Sequence, residues 1–176
     1  LGAVDYLRGG PVPYPDLGRP RTIGGWGVSM GASTLLLAAA EEPAIQAVVS
    51  DCAYADILPE LQKLIPTQGG IPGMFTPGIL AMANVLYGIN FYDVRPVDVV
   101  ARLAPRPLLL IHGSADTYVP PINQDELFAA ASAPPNAHVE YWRVPGAAHA
   151  QSFHKEGAVY VNEVVAFFDR ALGPAA

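Results

Sequence analysis

The sequence predicts an α/β domain with a mostly parallel sheet flanked by helices, and three observations carry that prediction. Short aliphatic or β-branched runs, IQAVVS at Ile45–Ser50, LLLIH at Leu108–His112 and HVEYWRV ending at Val144, alternate with helical stretches. The chain has 176 residues, 51% hydrophobic and 15% charged, enough to bury one core but not two. Finally, a polar residue capable of chemistry stands just beyond several of the strand-like runs, where parallel α/β sheets build their sites.

The elements follow in order. Val4 to Leu7 reads as the end of a helix that stops at Gly9-Gly10, and Pro11 to Pro20 as a proline-rich loop. Thr22 to Val28 reads as a short buried strand whose glycines allow close packing, followed by an Ala/Leu helix from Met30 to Ala40. The strand Ile45–Ser50 runs into Asp51. Ile57, Leu58, Leu61, Leu64 and Ile65 recur at helical spacing and predict a helix from Ala55 to Leu64. Thr76 is positioned to N-cap a second apolar helix, with Pro77 at its first position and Gly88 as its stop. Beyond Leu108–His112, a helix is expected over Pro121 to Ser132, a strand over Val139 to Val144 and a closing amphipathic helix over Gly157 to Ala171.

Composition excludes several functions. A net charge of -6 lacks the basic footprint of a nucleic-acid binder. Cys52 is the only cysteine, so no internal disulfide forms, and with four dispersed histidines no metal site or cofactor is expected. Leu64 to Tyr92 carries no charge, but Pro66, Pro72 and Pro77 with Gly69, Gly70, Gly73 and Gly78 interrupt it, so no membrane span is expected. No charged-then-apolar leader follows Leu1, which favours a cytoplasmic location for a chain expected to have lost something upstream.

The chemistry starts at GGWGVSMGAST, in which Gly27-Val28-Ser29-Met30-Gly31 fits G-x-S-x-G between a strand and a helix. A serine on such a turn adopts a strained backbone. Small residues at Gly27 and Gly31 let strand and helix approach, and the N–H of Met30 points toward a developing oxyanion. The bland alternative is a glycine-rich turn with an incidental serine. A serine nucleophile needs a base, and the base an orienting carboxylate. Asp116 stands in Gly113-Ser114-Ala115-Asp116 after one strand, and His149 in Pro145-Gly146-Ala147-Ala148-His149 after the next. The chain order is Ser29, Asp116, His149.

GVSMGAS, IHGSADTYVP and VPGAAHAQSF together resemble the nucleophile, acid and histidine segments of the α/β-hydrolase superfamily, in particular its esterase-like and prolyl-oligopeptidase-like serine hydrolases. The resemblance covers nearly the whole chain. It implies Ser29 as nucleophile, Asp116 as acid, His149 as base, Met30 as one oxyanion-hole amide and a helical cap inserted between Tyr54 and Val94. The reaction implied is hydrolysis of a small-molecule carboxylic ester. The same machinery also serves peptidases and thioesterases, and a chain without a complete oxyanion hole would be an interaction module. Only about twenty residues precede Thr22, without the His-Gly-rich segment that supplies a second oxyanion donor. The chain therefore resembles the C-terminal half to two-thirds of a hydrolase. Its nucleophile strand is expected to be an uncovered edge completed by an N-terminal segment, a second chain or a swapped partner.

Other residues rank lower. Asp51 is second for the acid role and His154 a rival base; His112 reads as a structural histidine and His138 as a surface strand residue. Asp56, Glu60, Asp93 and Asp98 read as solvated or helix-capping charges. The apolar helix near Met74, Phe75 and Leu80 reads as core packing or as a lid whose residues line an acyl pocket.

Overall fold

A computed structural model describes residues 1–9 and 21–173. Four strands, β1 (Ile23–Val28), β2 (Ile45–Asp51), β3 (Leu108–Gly113) and β4 (Val139–Val144), form one sheet in the order β1-β2-β3-β4. Every pair is parallel, with Val28 beside Asp51, Asp51 beside Ile111 and Gly113 beside Val144. All four strands therefore deliver their C-terminal ends to one edge of the sheet. Helices α1 (Gly2–Gly9), α2 (Met30–Glu41), α3 (Ile57–Thr67), α4 (Thr76–Tyr87), α5 (Pro96–Val99), α6 (Ile122–Ala131), α7 (Ser152–Glu156) and α8 (Ala158–Leu172) complete the order.

Alternation from Ala47 onward in β2 and along β3 splits the core into two layers, with Ile45 crossing to the first layer at the register irregularity between β1 and β2. Ile45, Val48, Leu108 and Leu110 face Leu36, Val100, Leu103 and Leu127 on one side. Ala47, Val49, Leu109 and Ile111 face Val144, Tyr160 and Phe167 on the other. A parallel sheet needs both faces covered, and here α2, α5 and α6 cover one while α8 covers the other. The strand expected to be buried, β1, is half-buried: among the described residues it pairs only with β2, and Trp26 is 55% exposed.

Several boundaries differ from expectation for local reasons. The helix expected from Ala55 begins at Ile57, because the Asp56 carboxylate accepts from the Leu58 N–H and caps it; it runs through Pro66 to Thr67. Thr76 is the first residue of α4 rather than its cap. Phe75 holds the cap position at the end of a 3-10 turn, whereas Gly88 does stop the helix, at φ 67°. Two short pieces lacked a periodic signal: α5 with the 3-10 turn Val100–Leu103, and α7. His154 lies inside α7, separate from the closing helix. His138 is exposed and precedes β4. Glu60, read as a solvated charge, is buried and accepts from the Asn123 amide. The loop Pro11 to Pro20 lies outside the described residues.

The contact between β1 and α2 sets the position of Ser29. A Cβ at Gly27 would lie 2.6 Å from the Gly31 carbonyl oxygen and 2.8 Å from Ala32 Cα, both unyielding backbone. A Cβ at Gly31 would meet nothing within 4 Å. Only Gly27 is therefore required for the close approach that the sequence assigned to both glycines. Gly27→Ala is expected to cost about 1–3 kcal/mol by forcing strand and helix apart, and Gly31→Ala to be neutral or stabilising by up to about 1 kcal/mol. Chemical denaturation of the two variants checks the contrast.

Candidate active site

Ser29 occupies the turn between β1 and α2 at φ 55° and ψ -125°. A left-handed backbone on a residue with a side chain costs about 1–3 kcal/mol and persists only where its surroundings enforce it. Here the Ser29 N–H is held by the Asp51 carbonyl at 2.8 Å, and the Ser29 carbonyl accepts from Ala32 and Ser33 in the first turn of α2. The N–H groups of Met30 and Gly31 open that helix, where no intrahelical acceptor is available.

The three residues named from the sequence converge. Ser29 Oγ lies 2.7 Å from His149 Nε2, and His149 Nδ1 lies 2.8 Å from Asp116 Oδ2. Two tightly docked loops set this geometry. Gly146 N–H donates to Ser114 Oγ at 2.8 Å and Ala115 N–H to the Ala147 carbonyl at 3.0 Å, while a Cβ at Gly113 would collide with that same carbonyl. The Tyr118 ring packs on the His149 ring with centroids 4.7 Å apart. Lys63 on α3 donates to the Thr117 and Tyr118 carbonyls and ties α3 to the acid loop.

Asp116 is buried but well supplied with donors. Its Oδ1 accepts from the Tyr118 and Val119 N–H groups at 2.9 Å each. Its Oδ2 is shared between His149 Nδ1 and His112 Nε2, the latter at 3.3 Å. Burial alone would raise its pKa, but the bonds from His112 and His149 outweigh burial and hold the carboxyl well below the usual range. His112 is a buried histidine, as expected, bonded also to the Val119 carbonyl at 2.9 Å. Burial disfavours its charge, yet Asp116 and Val119 together move its pKa upward.

Asp51, ranked second for the acid role, has other partners. Its carboxylate is buried and accepts from Ser152 Oγ and Tyr160 Oη, each at 3.0 Å. Burial raises its pKa against those two bonds. Next to it Cys52, at φ 49°, is buried, and burial with the adjacent Asp51 charge pushes its thiol up to about 12. Donor atoms of Cys52, Asp116 and His149 lie within 4.8 Å of one another, the one such group of possible metal ligands among the described residues. His149 and Asp116 are already engaged with Ser29 and with each other, and the thiol holds its proton.

The expected pocket residues differ in exposure. Met74 and Phe75 are 80% and 53% exposed, whereas Leu80 is buried and lines a cavity of about 280 Å³ with Gln62, Gly73, Thr76, Pro77 and Tyr92. Tyr118, Lys63 and Cys52 were not singled out from the sequence. Tyr118 stands within the IHGSADTYVP segment and Cys52 one residue past β2, so proximity to a strand's C-terminal end was their only signal.

This geometry has counterparts in known proteins. The first structural match is an esterase of Pyrococcus furiosus, Pf2001, with TM-score 0.71 and 22% identity over 97% of this chain and 60% of that one. The esterase domain of a Rhodothermus marinus protein matches with TM-score 0.56 and 27% identity, over 82% of this chain and 58% of that one. The fold is that of the α/β-hydrolase superfamily. The profile of the prolyl oligopeptidase family matches residues 16–175, and the chain belongs to that family. The uncharacterized protein YfhR of Escherichia coli (strain K12) is 26% identical over 152 residues, 85% of this chain and 46% of that protein. The chain thus spans about half the length of the curated relatives it matches.

A carboxyl whose folded pKa is depressed contributes stability above its unfolded pKa, and that stability fades as pH falls through the folded value. Asp116→Asn is therefore expected to lose about 1–3 kcal/mol at pH 7. The deficit should shrink as pH drops below about 4, and denaturation curves at pH 7 and pH 3 measure the difference.

Proposed function

We propose that this chain carries a serine hydrolase centre that cleaves a carboxylic ester through an acyl-enzyme. The single observation behind this reading is the unbroken hydrogen-bond chain Ser29 Oγ–His149 Nε2–His149 Nδ1–Asp116 Oδ2, at 2.7 and 2.8 Å, starting from a strained serine. His149 Nε2 takes the Ser29 proton as Oγ attacks the ester carbonyl, and the resulting imidazolium returns it to the leaving alcohol. Water then repeats the sequence on the acyl-enzyme. Asp116, kept anionic by three hydrogen-bond donors with His112 close by, holds Nδ1–H in place and stabilises the imidazolium.

The Met30 N–H supplies one oxyanion donor in this reading. The second comes from outside the described residues, in a segment or partner that pairs with the open edge of β1. The stretch between Tyr54 and Val94 acts as a cap in this reading, and its charge-free part from Leu64 to Tyr92, with Met74, Phe75, Met82 and Leu86 exposed, suits lipophilic uncharged acyl groups. Membership of the prolyl oligopeptidase family keeps a second reading open, amide or peptide cleavage by the same three residues.

A fluorophosphonate probe is expected to label the parent chain and not Ser29→Ala. His149→Ala should label at least about 100-fold more slowly, the usual worth of a general base. Absence of labelling in the parent would overturn the hydrolase reading. Relative rates on p-nitrophenyl esters, an acyl-CoA and an aminoacyl amide then rank ester, thioester and amide cleavage.

A further inference from the structure

Among the described residues, three non-glycine positions have positive φ: Ser29 at 55°, Cys52 at 49° and Ala150 at 55°. They follow β1, β2 and His149 respectively, and the Cys52 thiol lies within 4.8 Å of the ligand atoms of Asp116 and His149. Strained residues in one cluster need something that over-determines them, and Asp51 is connected to all three loops. Its carbonyl holds the Ser29 N–H at 2.8 Å. Its Oδ1 accepts from Ser152, three residues past His149, and its Oδ2 from Tyr160 on α8. Trp26 Nε1 on β1 in turn donates to the Tyr160 oxygen at 3.1 Å.

The direction of these bonds is dictated by chemistry. An indole N–H can only donate, so Trp26 makes Tyr160 an acceptor there and commits the Tyr160 proton to Asp51. Both carboxylate oxygens thus receive protons, which is the pattern an ionised Asp51 satisfies. We propose that the Asp51 carboxylate is a positioning residue for His149 opposite Ser29, acting through Ser152 on the histidine loop and Tyr160 on α8, while the Asp51 backbone carbonyl holds the Ser29 N–H whatever the side chain. This inference rests on the hydrolase reading for its kinetic consequence.

A purely structural carboxylate would be a poor choice here. Burial disfavours the charge, so the fold is more stable with Asp51 protonated, and that stability is lost as pH rises through its folded pKa. The titratable groups facing it are Tyr160 on α8, the adjacent Cys52, His112 on β3 and His149. A neutral isostere should leave stability at neutral pH intact while loosening the site.

The test is Asp51→Asn in the full chain. Fluorophosphonate labelling of Ser29 is expected to slow by about 10- to 100-fold, the effect of a small misplacement of reacting groups, with Tm at pH 7 unchanged or higher. Ser152→Ala and Tyr160→Phe should each slow labelling, and Ser152→Thr should keep the parent rate; these three carry the test if Asp51→Asn fails to fold. Parent-rate labelling in Asp51→Asn, or slower labelling that disappears when rates are normalised to folded protein, overturns the proposal. A parent chain that does not label defeats the hydrolase reading instead. Positioning is then read without turnover from the low-field Nδ1 proton of His149 by NMR. Its broadening or loss in Asp51→Asn supports the proposal, and an identical line in both proteins overturns it.

Discussion

The parallel pairing of β1 through β4 is the constraint from which the rest of the structure follows. Parallel strands send all their C-terminal ends to one edge, so the residues just past β1, β2, β3 and β4 become neighbours although about 120 positions separate Ser29 from His149. The same pairing requires a helix on each face, which α2 and α8 provide. Close approach then matters at particular points: Gly27 against the first turn of α2, and Gly113 against the Ala147 carbonyl. Each of these contacts aims one member of the Ser29–His149–Asp116 chain.

Buried charge is treated differently at the two carboxylates of this edge. Asp116 has three hydrogen-bond donors, with His112 close by, and lies well below the ordinary carboxyl range; Asp51 has two side-chain donors and is shifted upward by burial. The difference reflects how many bonds compensate each lost hydration shell. His112 belongs to this balance. It reads as ordinary core in the sequence, yet its Nε2 leans on the oxygen that His149 uses. His112 thereby approaches the Asp116 carboxylate from the interior side.

Much of this was legible in the residues themselves. LLLIHG and the run ending at Val144 appear as β3 and β4 within one residue of their expected limits, because continuous aliphatic runs bounded by turn residues permit little else. GVSMGAS marked the turn at Ser29. The short helix Ser152–Glu156 was not legible, since five residues carry too little periodicity, and neither was the burial of Glu60, which depends on Asn123 from α6. Met74 and Phe75 look like pocket residues by composition, but exposure is a property of what packs around a residue, not of the residue.

The sequence by itself determined the types of the longer elements, the strand–turn–helix at Ser29 and the chain order of Ser29, Asp116 and His149, each just past a strand. Local spacing, turn chemistry and periodicity act over a few residues and leave their record in the chain. Only the tertiary structure decided that Asp51 holds Ser152 and Tyr160 rather than His149, that Cys52 lies close to Asp116 and His149 and that Tyr118 covers the His149 ring. Those contacts join residues far apart in the chain. Their partners are chosen by strand order and by the desolvation of whatever the sheet edge encloses, neither of which is written in any local stretch of sequence.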